Sequence, residues 1–336
     1  MKIAMESAEM NIVYATSDLY SKPALISIKT LLMNNTTVDE IHIYYIEHGV
    51  SDENKDLLRA LIEEYHRQID FIPMPETFSQ IEGIMRADHV VYSYCFFQDI
   101  LPETVDKVLL LEGDSIVVGD LTELYGMDIT DYYFAAADDM QNKNIHKGLG
   151  LKNSSPYVNC GILLFNLKKM REEKYSKKIA EIIQSGKSKL FFEVQDEMNV
   201  AAEGKIKIMP LRFNAYTMVF LFDYENMFRF RKPTTYYTKE EFEDARQNPV
   251  VVHFVKTKLM QPRPWIENCT HPYTQYYLDV KAQTALADME LWPDKRGFMS
   301  RLLGGLYAKG FKRVIAVSMG LYRSFLTYFS SLYKHM

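Results

Sequence analysis

The first 75 residues alternate between two spacings of apolar side chains. Short apolar runs typical of β-strands occur at residues 11–15, 40–46 and 69–72. Between them, apolar residues at helical spacing predict helices over residues 23–32 and 52–66, the second with Ser51 as its N-cap. This β-α-β-α-β order predicts a parallel sheet with helices on its faces and a ligand site at the carboxyl ends of the strands.

A longer apolar run, residues 107–118, predicts a fully buried strand that is interrupted by Glu112, Gly113 and Asp114. A carboxylate within such a run needs a partner that offsets its desolvation, and a divalent cation suits that role. Glu112 and Asp114 are two positions apart, so an extended chain would place them on one face. The local pattern fits equally well a strand that simply ends in an acidic turn.

Further apolar runs lie downstream. Residues 134–139 predict a short strand ending in two acids, and residues 157–167 and 250–254 predict two more strands, the last ending in a histidine. Residues 192–199 have the acidic start of a helix, and the polar residues 141–156 predict a loop near the site. The acids and the histidine at the strand ends are candidates for a polar site.

The C-terminal segment differs from the rest of the chain in charge. Residues 295–336 contain eight Lys or Arg and no Asp or Glu, so the remainder carries a net charge of −13. Glycines favour two or three short helices here, with an apolar side made of Phe298, Leu302, Leu306, Phe311, Val314 and Tyr322. The pattern predicts either a basic amphipathic tail that meets an anionic membrane surface or a helical cap on the main domain.

Composition narrows the function classes. With 47% hydrophobic and 25% charged residues among 336, the chain is typical of a globular protein of one large α/β domain or two smaller ones. The acidic body argues against a nucleic-acid partner. Three widely spaced cysteines, without a signal-like or 18-residue apolar segment, favour a reducing, cytoplasmic compartment. Gly-x-Gly-x-x-Gly and Walker-type loops are absent from the sequence, so a nucleotide would be held by other means.

Several segments resemble motifs of glycosyltransferase family 8, in the order in which that family carries them. Residues 109–118 resemble its YLDxDxxV segment, residues 157–167 its FNAGVLLINL segment and residues 192–199 its DQDxLN segment. Residues 253–265 resemble HFxGxxKPW, and the opening strand with its turn is similar to the family's first strand.

This resemblance implies both a fold and a metal site. The fold is a single nucleotide-sugar-binding α/β domain of the GT-A type, with a Rossmann-like mixed sheet over residues 10–270, followed by a basic helical tail over residues 271–336. In the family a divalent ion is held by the residues that match Glu112, Asp114 and His253, with Mn²⁺ expected and Mg²⁺ as the alternative. Taken without the family, a histidine after an apolar run is more often a satisfied core residue.

The resemblance also implies a binding site for a UDP-hexose donor. By position, the donor would contact Ala15, Thr16, Asp18, Tyr20, Asp139, Asn159, Gly161, Lys256, Lys258 and Arg263. The first four would cradle the base and ribose, the next three the sugar, and the three basic residues the diphosphate. Taken alone, Asp18 is also a turn or cap residue, and Asp139 also fits an exposed turn.

Gln195 and Asp196 are the candidate catalytic residues. In the family the glutamine that matches Gln195 lies below the reacting anomeric carbon, where a neutral amide can stabilise developing positive charge. Asp196 would either act directly or orient its neighbours.

Some motif positions depart from the family's pattern. Glu112 replaces an aspartate, Val194 replaces the first aspartate of DQDxLN, and Lys256 replaces a glycine. No arginine stands near Cys95 or Phe96, where the family has one that helps to hold the nucleotide sugar. These departures put donor affinity and donor identity in question.

The sequence therefore supports one leading hypothesis and two alternatives. The leading one is a retaining, metal-dependent transfer of a hexose from a UDP-sugar to an oligosaccharide or lipid-linked glycan, in bacterial surface polysaccharide or lipopolysaccharide synthesis. The protein would then be cytoplasmic and peripherally bound to the inner face of the cell membrane. The alternatives are a degenerate member that binds its ligand without turnover and a protein-modifying transferase.

Overall fold

The computed structural model describes residues 9–75, 89–186 and 191–333. Its strands are Glu9–Ser17 (β1), Glu40–His48 (β2), Gln68–Pro73 (β3), Lys107–Leu111 (β4), Ser115–Val117 (β5), Phe134–Asp138 (β6), Val158–Asn166 (β7), Ile206–Ile208 (β8), Ala215–Tyr216 (β9) and Val251–His253 (β10). Its α-helices are Asp18–Asn34 (α1), Asp52–Glu64 (α2), Phe97–Ile100 (α3), Thr122–Tyr125 (α4), Lys143–Leu149 (α5), Leu167–Glu172 (α6), Tyr175–Ser185 (α7), Val194–Ala201 (α8), Thr217–Leu221 (α9), Tyr224–Arg231 (α10), Lys239–Gln247 (α11), Thr274–Lys281 (α12), Phe298–Ala308 (α13) and Lys312–Tyr333 (α14). A 3₁₀ helix, His89–Phe96, precedes α3.

A mixed seven-stranded sheet forms the centre of the molecule, in the order β3-β2-β1-β4-β7-β6-β8. β1 pairs in parallel with β2 and β4, and β2 pairs in parallel with β3. β7 runs antiparallel to both β4 and β6. A smaller sheet has the order β5-β10-β9. The predicted parallel β-α-β-α-β unit is confirmed, including Ser51, whose side chain accepts the hydrogen bond that caps α2.

The central strands carry apolar residues at consecutive positions because both faces of the sheet are covered. In β1, Ile12 and Tyr14 point into one apolar cluster and Val13 into the other. In β4, Leu109 and Leu110 divide in the same way. This alternation explains why the sequence shows continuous apolar runs there rather than an apolar–polar pattern.

The structure differs from the sequence prediction at residues 107–118, which do not form one strand. The chain turns between β4 and β5, where the backbone N–H and the hydroxyl of Ser115 donate to the Glu112 carbonyl over 3.0 and 2.7 Å. β4 and β5 therefore belong to different sheets. Glu112 and Asp114 lie in the turn that joins these sheets, not on one face of a strand.

Residues 141–156 are also more ordered than the predicted loop. They contain α5, which the Asn142 side chain caps by accepting from the Asn144 N–H over 3.0 Å. Ile145 and Leu149, one helical turn apart, are both buried. The helix spans only seven residues, so the local pattern was too short to indicate it.

The C-terminal helices divide between two environments. α12 packs in the main apolar cluster through Tyr277 and Val280. α14 packs against α5 and α10, so closely that a Cβ at Gly320 would lie 2.4 Å from the Arg229 carbonyl oxygen. Its opposite side, together with α13, holds most of the exposed large apolar side chains of the described residues. Among those residues, no helix combines the length and apolar character needed to cross a bilayer.

Candidate active site

The turn between β4 and β5 meets the end of β10. β10 pairs antiparallel with β5 in a register that sets His253 opposite Ser115. His253 Nε2 is 3.0 Å from Glu112 Oε2 and 3.3 Å from Asp114 Oδ1. One ligand atom from each of the three residues lies within 4.8 Å of the others. The structure thus brings the three residues predicted as metal ligands together.

Asn214 fixes the orientation of the histidine. Its amide nitrogen donates to Asn159 Oδ1 over 2.9 Å, which leaves its oxygen 3.0 Å from His253 Nδ1. Nδ1 is therefore the hydrogen-bond donor of the ring, and Nε2 faces the two carboxylates. Two carboxylates and one oriented imidazole nitrogen are a donor set that fits a divalent ion such as Mn²⁺ or Mg²⁺.

Charges in this cluster compensate one another. Burial opposes the charged form of His253, but hydrogen bonds to Asp114 and Glu112 outweigh it and raise the histidine pKa to about 10. Burial likewise opposes ionisation of Asp114, yet His253 and Arg263 together lower the pKa of that carboxyl. Arg263 Nη2 donates to Asp114 Oδ2 over 2.9 Å. Asp114 therefore contacts His253 on one side and Arg263 on the other.

A cleft of about 220 Å³ opens beside the cluster. Its walls include Ala15, Thr16, Tyr20 and Arg263, four of the residues predicted to bind the donor. The Tyr20 hydroxyl accepts a hydrogen bond from Arg263 over 2.8 Å. Ser17 and Tyr94, which the sequence analysis did not single out, also line the cleft, and Tyr94 donates to Glu112 over 3.2 Å.

Asp18 does not line this cleft. Its Oδ1 accepts from the N–H and hydroxyl of Ser51, each over 2.8 Å, and from the Asn54 side chain over 2.7 Å. These hydrogen bonds lower the pKa of the Asp18 carboxyl. They join the start of α1 to the start of α2, as expected of a turn or cap residue. A contact between Asp18 and the UDP-sugar stays a prediction.

Gln195 lies at the centre of a hydrogen-bonded chain that begins at the metal cluster. Its Oε1 accepts from the Cys160 N–H over 3.2 Å and from Asn159 over 3.4 Å. Its Nε2 donates to Asp139 Oδ2 over 3.4 Å and to the Tyr157 hydroxyl over 3.3 Å. Since Asn159 also bonds Asn214, the predicted sugar-binding and catalytic residues form one network with His253.

Asp196 has a different environment from Gln195. It is fully buried, and its carboxylate accepts from the Tyr157 hydroxyl and from the N–H groups of Phe191 and Phe192, the latter two over 2.7 and 3.0 Å. These bonds hold the chain entering α8 and so fix the position of Gln195. Of the two roles predicted for Asp196, this geometry favours orienting its neighbours.

Two arginines near Asp139 were not predicted. Arg231 at the end of α10 pairs with Asp139 over 3.3 Å, with both side chains buried. Arg323 of α14 donates to the Gln141 side chain, whose nitrogen in turn donates to Asp139. Burial and the charge of Arg231 lower the pKa of Arg323 to about 9. These contacts join segments separated by 92 and 182 residues, so no local sequence signal could indicate them.

Comparison with known proteins decides the family. A family model described as glycosyl transferase family 8 matches residues 11–269. The chain belongs to this family.

Similar proteins include several from bacteria. The chain is 23% identical over 281 residues to general stress protein A of Bacillus subtilis, covering 82% of this chain and 94% of that protein. It is 23% identical over 282 residues to a lipopolysaccharide 1,2-glucosyltransferase of Escherichia coli, covering 82% and 78%. The galactosyltransferase LgtC, solved with donor and acceptor sugar analogues, superposes with a TM-score of 0.70 at 23% identity, covering 82% of this chain and 96% of LgtC. The predicted GT-A fold is confirmed.

Two of the positions that depart from the family 8 motifs lie against the same apolar cluster. Phe96, near the position of the missing arginine, is buried in an apolar cluster, and Val194, which replaces the aspartate, packs against that same cluster. The helix that starts at Val194 also packs on the 3₁₀ helix that ends at Phe96. Because both substitutions are apolar, neither leaves a charge buried without a partner.

The loop after β10 departs from the family 8 motif in length. Arg263 stands before Pro264 and Trp265, where the motif has lysine, but the spacer after His253 is longer. Lys256 and Lys258 lie in this spacer and line a cavity other than the cleft beside Glu112 and Asp114, whereas Arg263 lines both. The structure thus places only Arg263 beside Asp114.

Proposed function

We propose that this family 8 member is a retaining, metal-dependent hexosyltransferase that uses a UDP-sugar and acts on a glycan or lipid-linked acceptor in bacterial surface polysaccharide or lipopolysaccharide synthesis. The observation that carries the proposal is the convergence of Glu112, Asp114 and His253, joined to Gln195 by an unbroken hydrogen-bonded chain. The similarity to a lipopolysaccharide glucosyltransferase supports the acceptor class.

Glu112, Asp114 and His253 would hold the ion, with Mn²⁺ expected and Mg²⁺ as the alternative. Bound there, the ion supplies positive charge that stabilises the diphosphate leaving group. Arg263 adds a fixed positive charge at the same place, since its guanidinium is held by Asp114 and Tyr20. Leaving-group departure is thereby favoured on the side of the cleft where these residues meet.

Gln195 would act on the other side of the reacting carbon. Its amide is held by four hydrogen bonds, so its oxygen and nitrogen keep fixed directions. A neutral amide stabilises developing positive charge on the sugar without trapping it. Retention would follow from acceptor attack on the face that the diphosphate leaves, or from a short-lived enzyme adduct.

Turnover is tested by UDP release from UDP-glucose and UDP-galactose, measured with Mn²⁺ and with EDTA. Release that requires the metal supports the proposal. If both nucleotide sugars bind in a metal-dependent manner but no UDP is released in the presence of candidate acceptors, the result would instead favour a degenerate family member that binds its ligand without turnover.

Replacing Gln195 with alanine should lower kcat by about a hundredfold while changing donor affinity little, because an interaction felt mainly in the transition state affects turnover more than binding. Steady-state kinetics and UDP-sugar titration on the same variant separate the two effects. A defect confined to donor affinity would reject the catalytic role.

Asp139 should discriminate the intact donor from UDP alone. Asp139→Asn removes the charge that would bind sugar hydroxyls, so the nucleotide sugar should lose about 1–3 kcal/mol of binding free energy and UDP almost none. Calorimetric titration with both ligands measures the difference. Asparagine is preferable to alanine, because it keeps the side-chain volume and an oxygen that can still accept a hydrogen bond from the buried Arg231. Equal losses for UDP and UDP-sugar would assign Asp139 a structural role.

Membrane binding through α13 and α14 is part of the proposal. Exposed basic residues of these helices and their flanks stand among exposed apolar ones, at Lys295, Arg301, Lys309, Lys312 and Arg313. No acid from residue 295 onward opposes them, and each basic residue near an anionic surface contributes about 1 kcal/mol. Lys334, counted in the sequence analysis, lies outside the described residues. The packed side of α14 would at the same time serve as a cap on the main domain.

The triple variant Lys309→Glu, Lys312→Glu, Arg313→Glu should lose binding to vesicles of anionic lipid at low salt, while the unaltered protein sediments with them. Substitution is preferable to truncation, since removing α14 would uncover its contacts with α5 and α10. UDP binding and thermal unfolding serve as controls for folding. If the triple variant binds vesicles as well as the unaltered protein does, α13 and α14 serve only as a cap on the main domain.

A further inference from the structure

A second cavity, of about 800 Å³, adjoins the nucleotide cleft. Arg263 lines both spaces. The walls of the second cavity come from the loop after β10 and from the segment between α12 and α13, and they include Lys256, Lys258 and Lys295. We call these three residues the lysine basin. Its volume is within the range of about 300–1,000 Å³ that is typical of small-molecule sites.

The basin carries positive charge that the protein leaves uncompensated. Arg263 and Arg296, which also line the cavity, are paired with Asp114 and Asp294, each over 2.9 Å. Within the described part of the chain, none of the three lysines has a carboxylate within 4 Å. Three ammonium groups on one cavity, in a chain with a net charge of −5, favour an anionic ligand.

Tertiary contacts hold the two walls in place. A Cβ at Gly304 of α13 would lie 2.8 Å from the Leu259 carbonyl oxygen, so α13 rests directly on the longer spacer. Gln261, buried in the spacer, donates to Asp294 over 3.4 Å. The Trp292 N–H donates to the Trp265 carbonyl over 2.8 Å. The lysines therefore extend from two segments that are fastened to each other.

The cavity continues towards an apolar surface. Gly297, which lines it, is followed by Phe298 and Met299 at the start of α13, with 78% and 63% of their surfaces exposed. Trp292 supplies an apolar wall inside the cavity. A ligand with a phosphate in the basin could thus extend an alkyl chain along α13 and keep its polar part near Arg263.

We propose that the lysine basin binds the phosphate of a lipid-linked acceptor, and so positions that acceptor beside the donor cleft. This inference rests on the proposed function and specifies its acceptor as an anionic amphiphile. It also reassigns Lys256 and Lys258, which would hold the acceptor's phosphate and not the diphosphate of the donor. Ammonium groups suit this role because they bind phosphate as compact point charges.

The test uses the full chain in EDTA, so that no phosphate binds through a metal. The three probes are octyl phosphate, octyl glucoside and inorganic phosphate, with the two octyl compounds kept below their critical micelle concentrations. Octyl phosphate should bind at least about tenfold more tightly than either other probe, because only it joins charge to an alkyl chain. Lys295→Glu should weaken octyl phosphate by about tenfold or more. The matched control Lys177→Glu makes the same charge change at an exposed position of α7, outside the cavity, and should have little effect.

Four results would overturn the inference. If octyl glucoside binds as tightly as octyl phosphate, the site is an apolar surface alone. If inorganic phosphate binds as tightly as octyl phosphate, the site is one for the free ion. Equal losses in Lys295→Glu and Lys177→Glu would mean that octyl phosphate responds to general surface charge and not to the basin. Displacement of octyl phosphate by UDP, added in EDTA at a concentration that titration in EDTA shows to saturate its binding, would mean that the basin belongs to the donor site. UDP binding in the presence of Mn²⁺ is titrated separately. If UDP does not bind, the result counts against the proposed function and not against the lysine basin.

Discussion

Replacing Asp114 with asparagine should reduce Mn²⁺-dependent UDP affinity by more than about a hundredfold, to the level measured in EDTA. Asp114 faces His253 on one side and Arg263 on the other, so its charge is shared by the metal site and the nucleotide cleft. Asparagine keeps the shape and removes that charge. Calorimetric titration of UDP with Mn²⁺ and with EDTA measures the effect. Undiminished UDP affinity of the variant in Mn²⁺ would contradict the assignment of Asp114 as a metal ligand.

Glu112→Asp is the matched control for that experiment. It changes the length of a neighbouring ligand by one methylene, keeps the charge and introduces the aspartate of the family motif. Metal-dependent activity should therefore stay equal or rise. A loss as large as that of Asp114→Asn would show that the turn tolerates no change at all and would weaken the comparison.

Gly161→Ala should disrupt the same site from the opposite side. An added Cβ would lie 2.2 Å from His253 Cε1 and 2.6 Å from Glu112 Oε2, so the imidazole or the carboxylate has to move. His253 is buried and held by Asn214, which leaves it little freedom. We expect loss of Mn²⁺ binding and, from overpacking, destabilisation of about 1–3 kcal/mol. Metal titration and chemical unfolding measure the two effects.

Cys160→Ala, at the adjacent position, is the control for Gly161→Ala. Its sulfur lies in an apolar cluster on the other side of β7, and alanine is the family's residue there. Metal binding should be unchanged, with a modest loss of stability from the smaller side chain. If Gly161→Ala binds Mn²⁺ as well as Cys160→Ala does, close packing at Gly161 is not required by the site.

The sequence was most informative where a local pattern determines the structure. Alternating apolar runs predicted the parallel strands, and motif order predicted the cluster of Glu112, Asp114 and His253. The break between β4 and β5 was missed because apolar residues flank Glu112, Gly113 and Asp114 on both sides, and only the pairing of β5 with β10 separates the strands. Arg231 and Arg323 were missed because their partners lie far away in the sequence.

Phe96 and Val194 both lie against one apolar cluster, which limits the substitutions that these positions accept. A single arginine or aspartate introduced at either position would put a charge against that cluster without a partner. Exchange for another apolar residue should therefore cost much less stability than introduction of the charged residue of the family motif.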